Sequence, residues 1–443
     1  MKRKRLNSIT FVALLFVSTS GSAQQMNEFS VKQAVEYATK NGVQVKNALL
    51  DIEIQRQQNR QITSAAFPQI TSTLTLNDFL EIPTSLLPGE IIGQPGTKVP
   101  VKFGTKYNAT GGIDVNQLLF DGQVFIGLVA RKVVIDYQTK AAEITKEQIK
   151  ANVYKIYYQL VVGKKQLGTL DANIERFDKL LHDTREIYKN GFAEKLDVDK
   201  VTVQLNNIQT EKEKVLNKLA SGNAGLKFLM NMPQKDQLIL TDTLSESELM
   251  ANILDENYDY KNRKEFQMLT IAETLGAYNV RRYKLSKLPT VSAFANYSKN
   301  AQRPTFDIFN KGDWFTTSLI GLKVAIPIFD GFNRNAKIQQ ARYELQKAKN
   351  SLELLKGSID YDIEQARSNM KSALSTLDNQ KKNIDLATSV YNSTKKKYEQ
   401  GLGNNQEIYS AESELKIAQT NYYSALYDAI NAKIDYLKAA GKL

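Results

Sequence analysis

The chain contains no cysteine and a single histidine, His182, among its 443 residues. The absence of cysteine excludes a disulfide framework, a zinc–thiolate site and a cysteine nucleophile. Histidine is the usual general base near neutral pH, so any acid–base or metal chemistry would have to come from carboxylates. The carboxylates form no tight cluster on a predicted loop. We therefore predict no enzyme activity, no cofactor and no metal site.

Proline is scarce, and none of the nine prolines lies between positions 101 and 232 or after 327. Because proline breaks helix interiors, two very long helices are allowed, and they are predicted over residues 129–188 and 335–398. In both tracts apolar residues recur at steps of three and four. Sixty helical residues span roughly 90 Å at ~1.5 Å per residue, which indicates coiled-coil-like packing.

Long apolar runs are also missing, apart from a short one over residues 9–17. It follows the basic residues KRKR and precedes the small residues GSA, which end at position 23. This pattern predicts a secretory signal peptide over residues 1–23, because the run is well under the ~20 residues that a membrane-spanning helix needs. The rest of the chain stays basic, but its lysines alternate with acidic residues on helix faces, so we predict no nucleic-acid binding.

Four strands with two-residue alternation are predicted over residues 68–80, 106–120, 289–301 and 314–329. In the first, Ile70, Leu74 and Leu76 share one face and threonines the other. Such strands of about ten residues are typical of a transmembrane β-barrel, although a half-buried soluble sheet shows the same alternation. The Pro- and Gly-rich segment EIPTSLLPGEIIGQPGTKVP between the first two strands is predicted to be an exposed loop.

Four strands in one chain cannot close a barrel without leaving unpaired edges in lipid. Three chains would supply twelve strands and room for a channel, whereas two chains would supply eight and a filled interior. Asp114 and Lys323 lie on the polar faces of their strands. We predict that they face the pore, with a single interstrand pair between them as the alternative.

The phrase Phe-Asp-Gly occurs twice, 209 positions apart, at the end of a predicted strand and before a long helix. The phenylalanine is expected at the membrane boundary, the aspartate is expected to cap the helix, and the glycine is expected to permit a sharp turn. These strand-to-helix turns consist of Phe120, Asp121, Gly122, Phe329, Asp330 and Gly331.

Each long helix ends at a similar phrase, YKNGFAEKLDVDKV from position 188 and YEQGLGNNQEIYSA from position 398. Glycine after the last helical turn is a common C-cap, and a shorter return helix follows each phrase. The chain is therefore predicted to consist of two tandem repeats, residues 24–233 and 234–443. Each repeat contains a helix, a strand pair and a long helical hairpin, with hairpin tips near Gly191 and Gly401.

In this order the paired FDG turns, the phrase VAIPIFDG, the two Y-x-x-G tips and the strand starts FPQI and LPTV resemble the TolC-type outer-membrane efflux family, the outer-membrane factors. The resemblance covers essentially the whole chain after the signal peptide. It implies a mainly α-helical homotrimer with a twelve-stranded outer-membrane barrel and a helical periplasmic tunnel. The implied function is a passive duct for small molecules such as drugs, or for secreted polypeptides.

The resemblance also implies the partners: a periplasmic adaptor (membrane fusion) protein, an inner-membrane pump and outer-membrane lipid. The alternative is a periplasmic coiled-coil adaptor or scaffold protein of an export complex. In the family the gate lies at the hairpin tips and is often held by charged pairs; whether such pairs hold it here stays open. The implied gate and docking residues are Gly191, Glu194, Lys195, Asp197, Gly401, Gly403, Asn404, Asn405 and Glu407.

Overall fold

The structure, a computed structural model, describes residues 26–93, 95–242, 258–308, 310 and 312–443. The predicted signal peptide lies outside these residues. Within them, no helix combines the length and the apolar character that crossing a bilayer requires. The described chain divides into two compact units. We call residues 26–38, 153–242 and 387–423 the tip unit, and residues 39–152, 258–386 and 424–443 the sheet unit.

The helices include the two long ones that the proline distribution predicts. The first is 68 residues long and the second 67; the first begins at residue 122 and not at the predicted 129, and the second at residue 333 and not at the predicted 335. Each is followed by a return helix of 36 or 35 residues. The helices are α1 (Val31–Asn41), α2 (Val43–Ser64), α3 (Gly122–Lys189), α4 (Lys195–Met230), α5 (Lys264–Leu285), α6 (Asn333–Glu399) and α7 (Asn405–Ala439).

The four predicted long strands form one antiparallel sheet in the sheet unit. Its order is β2-β5-β7-β8, so neighbours in the chain are neighbours in the sheet. All three pairings are antiparallel. The strands of the described chain are β1 (Met26–Phe29), β2 (Gln69–Asp78), β3 (Thr84–Pro88), β4 (Lys98–Lys102), β5 (Tyr107–Phe120), β6 (Gln237–Leu240), β7 (Thr290–Arg303) and β8 (Phe315–Ala325).

The register brings the apolar residues of all four long strands to one face. Ile70, Val115, Ala295 and Ile320 form one row across the sheet. The two end members are strongly exposed, Ile70 at 68% and Ile320 at 86%. Since an isolated large apolar side chain loses about 1.5–3 kcal/mol by staying in water, a whole exposed apolar face needs a non-aqueous neighbour.

Two short strand pairs were not predicted. The hairpin of β3 and β4 lies in the segment predicted as a loop. Its prolines are tolerated because a two-stranded hairpin consists of edge strands only. The parallel pair of β1 and β6 has four residues in each strand, too few to show a period in the sequence.

The two FDG turns differ from each other. Phe120 ends β5 as predicted, but β8 ends at Ala325, four residues before Phe329. The prediction that Phe329 ends a strand is therefore wrong. Pro327 supplies no N–H for a sheet ladder, and residues 326–330 have no regular structure.

The aspartates of both turns accept hydrogen bonds at the helix starts. The backbone N–H of Gln123 donates to Asp121 Oδ1 (2.7 Å) and that of Arg334 to Asp330 Oδ2 (3.0 Å). At the second turn, Gly331 has a left-handed φ of +63°, which glycine adopts without steric cost.

Gly122 is needed for a different reason from the predicted one. Its φ lies outside the left-handed region, and a Cβ at this position would lie 2.7 Å from Leu285 Cβ and 3.0 Å from the Leu285 carbonyl oxygen. The glycine therefore permits the start of α3 to approach the end of α5. A sharp turn that only glycine could adopt is not the explanation at this position.

We expect Gly122→Ala to destabilise the protein by about 1–3 kcal/mol, because the added methyl group meets backbone that cannot yield without moving α5. Gly357→Ala is the matched control: it lies in α6 with no atom within 4 Å of a built Cβ. It should stabilise by about 0.5–1 kcal/mol through helix propensity. Thermal unfolding followed by circular dichroism checks both, and equal effects would contradict the packing argument.

Candidate functional site

The first hairpin tip joins α3 to α4 through a tight turn. Gly191 adopts φ +77°, and the backbone N–H of Phe192 donates to the Ile187 carbonyl oxygen (3.0 Å). This is a Schellman-type end, which requires a left-handed residue after the helix. Glu194 and Asp197 then form a capping box at the start of α4. Two of the predicted gate carboxylates are therefore engaged in ending and starting helices of their own tip.

The second hairpin tip, between α6 and α7, repeats the same construction with different caps. Gly401 adopts φ +74°, and the backbone N–H of Leu402 donates to the Lys397 carbonyl oxygen (3.0 Å). Asn404 Oδ1 accepts from the backbone N–H of Glu407 (2.8 Å), which is an N-cap bond. The uncharged phrase therefore caps a helix, as Glu194 does at the first tip.

Tyr398 ties the second tip together. Its hydroxyl donates to Asn405 Oδ1 (2.7 Å). Gly403 passes close to it, since a Cβ on Gly403 would lie 3.2 Å from the Tyr398 backbone nitrogen. Gly403 and Asn405, both predicted as gate residues, thus fix the turn against the last turn of α6.

The charged pair at this tip is Lys397 Nζ to Glu407 Oε2 (2.7 Å), and both side chains are nearly half exposed. It connects the two helices of one hairpin and contributes only ~0–1 kcal/mol at such exposure. Two hydrogen bonds near the tips join the two hairpins, and neither is formed between two charged groups. Lys200 Nζ donates to Gln406 Oε1 (3.3 Å), and Gln204 Nε2 donates to the Tyr409 hydroxyl (3.0 Å).

Two exposed apolar residues at the tips were missed by the sequence analysis. Phe192 follows Gly191 and is 85% exposed, and Leu402 follows Gly401 and is 71% exposed. An apolar residue directly after each tip glycine was the signal that could have identified them. Their equivalent positions place an apolar side chain at the outermost turn of each hairpin.

A groove of about 970 Å³ lies between α3, α6 and α7 beside these turns. It is open to solvent and combines aromatic rings with charges of both signs. Because it lies wholly within the tip unit, it belongs to the same structure as both turns. The residues that matter below are Arg176, Phe192, Tyr391, Lys395, Tyr398 and Glu412.

Glu412, on α7 at the groove, is only 5% exposed. Burial raises the pKa of this carboxyl to about 7, although the positive charges of Arg176 and Lys395 and a hydrogen bond from the Tyr391 hydroxyl favour the ionised form. Its Oε2 atom has no hydrogen-bond partner. The sequence analysis missed it because one glutamate among many on an amphipathic helix carries no signal of its burial.

The two pore-facing candidates share the polar face of the sheet but do not pair. Asp114 on β5 accepts a hydrogen bond from Asn296 Nδ2 on β7 (2.8 Å). Lys323 on β8 lies opposite Ser292 on β7 and is exposed. Because β7 separates their strands and they lie at different rows, the alternative of one interstrand pair is wrong.

Comparison with known proteins identifies relatives of this arrangement. Residues 260–442 match the family described as outer membrane efflux protein. The outer membrane efflux protein BepC of Brucella suis is 22% identical over 455 aligned positions, covering 99% of this chain and 91% of BepC. The outer membrane protein TolC of Salmonella enteritidis is 20% identical over 374 positions, covering 80% of this chain and 75% of TolC.

The fold matches as well. The crystal structure of the outer membrane protein VceC from Vibrio cholerae superposes with a TM-score of 0.72 at 14% identity, covering 93% of this chain and 96% of VceC. At that identity the match shows the fold alone. Taken together, the family match over residues 260–442, the two relatives and the shared fold show that the chain is similar to the TolC-type outer-membrane efflux proteins and is located in the outer membrane.

Proposed function

We propose that three copies of this chain form the outer-membrane channel of a tripartite export system. Each copy would contribute its four long strands to a twelve-stranded barrel and its hairpins to a periplasmic duct. Small molecules such as drugs, or secreted polypeptides, would pass through without chemical change, with energy supplied by an inner-membrane pump. The alternative of a periplasmic adaptor or scaffold does not fit the outer-membrane location.

The observation that carries the proposal is the state of the four-stranded sheet. Most of its large apolar side chains share one exposed face, and its outer strands β2 and β8 are each paired on one side only within the described chain. Unpaired backbone N–H and C=O groups each cost several kcal/mol in a lipid environment. In a single copy the outer edges of β2 and β8 would leave backbone groups without hydrogen bonds in the bilayer. Copies that pair these edges would form those hydrogen bonds.

Strand direction supports this closure. Three successive antiparallel pairings make β2 and β8 run in opposite directions. The β8 edge of one copy can therefore pair antiparallel with the β2 edge of the next, and the alternation continues around the ring. Antiparallel pairing around the whole ring requires an even number of strands in each copy, and this chain has four. Three copies supply a barrel wide enough to conduct, as eight strands would not.

The hairpin tips are proposed as the periplasmic entrance and the docking surface for an adaptor protein. Their polar caps are satisfied within each hairpin, and contacts such as Lys200–Gln406 add to the apolar core that joins the two hairpins. Phe192 and Leu402 offer apolar surface to a partner at the outermost turns. Asp114 and Lys323, on the polar face of the sheet, would line the pore of the barrel.

A cysteine cross-link between the sheet edges tests the barrel. The chain has no cysteine, so Thr73→Cys on β2 can be combined in turn with Thr317→Cys, Leu319→Cys or Lys323→Cys on the same face of β8. We expect at least one combination to give covalent trimers in outer membranes treated with an oxidant. The products are detected by non-reducing gel electrophoresis of the membrane fraction.

The single-cysteine variants are the controls, because each can form at most a dimer. Light scattering of the detergent-extracted, unmodified protein, with the detergent contribution subtracted, gives the mass independently. A monomer in detergent, together with no cross-linked species above the dimer for any combination, contradicts the proposed channel.

Removal of the apolar tip residues tests docking. We expect Phe192→Ser and Leu402→Ser each to weaken binding of the cognate adaptor roughly tenfold, because each loses the burial of one large apolar side chain. Phe228→Ser is the matched control, since Phe228 is an exposed aromatic residue near the other end of α4. Binding is measured with purified adaptor by surface plasmon resonance. An equal loss in the control variant would refute a specific role for the tips.

A further inference from the structure

Glu412 is a buried titratable group that the export function described above does not use. It is 5% exposed, and one of its two carboxylate oxygens lacks a hydrogen-bond partner. Burial of an ionised carboxylate without full pairing is unfavourable by several kcal/mol. Ionisation of this side chain therefore destabilises the packing of α7 against its neighbours.

The groups that face this carboxyl come from two neighbouring helices. Arg176 of α3 and Lys395 of α6 bring positive charge, and the Tyr391 hydroxyl of α6 is hydrogen-bonded to it. The Arg176 guanidinium also lies over the Tyr391 ring, 5.4 Å from its centroid, and donates to Asn173. The remaining charged residues that line the groove are Lys179, Asp183, Glu186 and Glu399.

Helix α4 contributes apolar side chains, including Val201 and Leu205, to the core that contains Tyr391. Burial raises the pKa of Glu412 more than Arg176 and Lys395 lower it. The pKa is therefore about 7, against an ordinary value of 4.5. Near neutral pH the protonated and ionised forms are both populated. A small change in pH then alters the charge in the middle of the packed tip helices.

We propose that Glu412 is a proton-operated element of the hairpin tips: its neutral carboxyl permits α7 to pack against α3 and α6, and its ionisation loosens that packing. The proposal rests on the proposed function in one respect, since loosening would open an entrance only if the tips form one. The ligand of this site is a proton, which binds to the Glu412 carboxylate at the groove.

The direction of the effect follows from linkage. In a loosened tip the carboxyl is solvated and has its ordinary pKa, so the packed tip binds the proton more tightly. The packed tip is then most favoured at acid pH, and the advantage is lost as the pH rises from about 4.5 to about 7. Between pH 5 and pH 8 the ratio of packed to loosened tips should fall on the order of 100-fold.

Hydrogen exchange of the full-length purified protein in detergent measures this directly. Peptides that cover the end of α6 and the start of α7 should be better protected at pH 5 than at pH 8, after correction for intrinsic exchange rates. Peptides from β5 and β7 serve as the internal reference. Equal protection of the tip peptides at both pH values would overturn the proposal.

Three variants assign the effect to Glu412. In Glu412→Gln, which keeps the shape of the neutral carboxyl, the tip peptides should stay protected at pH 8. Glu414→Gln is the matched control because Glu414 is exposed on the same helix, and it should behave as the unmodified protein. His182→Gln is a second control, because it removes the single histidine of the chain, which is exposed on α3.

Tyr391→Phe keeps the proposal testable if Glu412→Gln fails to fold. The tyrosine hydroxyl favours the ionised carboxylate, so its removal should move the loss of protection to higher pH. An unchanged transition in Tyr391→Phe, or a pH response that persists in folded Glu412→Gln, counts against the proposal.

Conductance in planar bilayers separates the two hypotheses. A conducting protein whose tip exchange is independent of pH would refute the role of Glu412 and leave the channel function standing. A protein with the expected exchange behaviour but no conductance would refute the channel and leave the proton response of the tips.

Discussion

Backbone hydrogen bonding in an apolar environment is the constraint on which the sheet unit depends. The four long strands satisfy each other through three antiparallel pairings, yet the two outer strands keep one unpaired side each within the described chain. Water can satisfy those groups and lipid cannot. Contact with water is unfavourable for the exposed apolar row that ends in Ile70 and Ile320. In the proposed channel, pairing of edges between copies would satisfy the backbone groups, and the bilayer would cover the apolar row.

In the tip unit the backbone groups at the helix ends form hydrogen bonds with residues of the adjoining turns. Glycines with left-handed φ end α3 and α6, and Glu194 and Asn404 cap the helices that follow. The charged pair Lys397–Glu407 lies within one hairpin, whereas the two hairpins share an apolar core that includes Phe177, Tyr391 and Ile408. Each hairpin therefore keeps its helix ends and caps independently of its contacts with the other hairpin.

Burial within the tip unit introduces chemistry that the turns lack. Glu412 is held in the packed helices with one oxygen unsatisfied, between Arg176 and Lys395. Its protonation state is coupled to packing because a neutral carboxyl tolerates burial far better than an ionised one. The same unit thus carries the exposed side chains of Phe192 and Leu402 in its turns and a buried titratable group about two helical turns into α7.

The sequence by itself determined the elements and the order in which they occur. Missing prolines predicted α3 and α6, two-residue alternation predicted β2, β5, β7 and β8, and the glycine C-cap phrases predicted the tips, to which the resemblance to the family added a role. These signals are local and periodic, so they survive without knowledge of neighbours. The sequence failed where local signals conflict or are too short, as at the hairpin of β3 and β4, the parallel pair of β1 and β6, and the end of β8 before Pro327.

Only the tertiary structure decided which side chains meet: Leu285 against Gly122, β7 between Asp114 and Lys323, and the burial of Glu412. Each of these depends on contacts between residues far apart in the chain, and no periodicity in the sequence encodes such contacts.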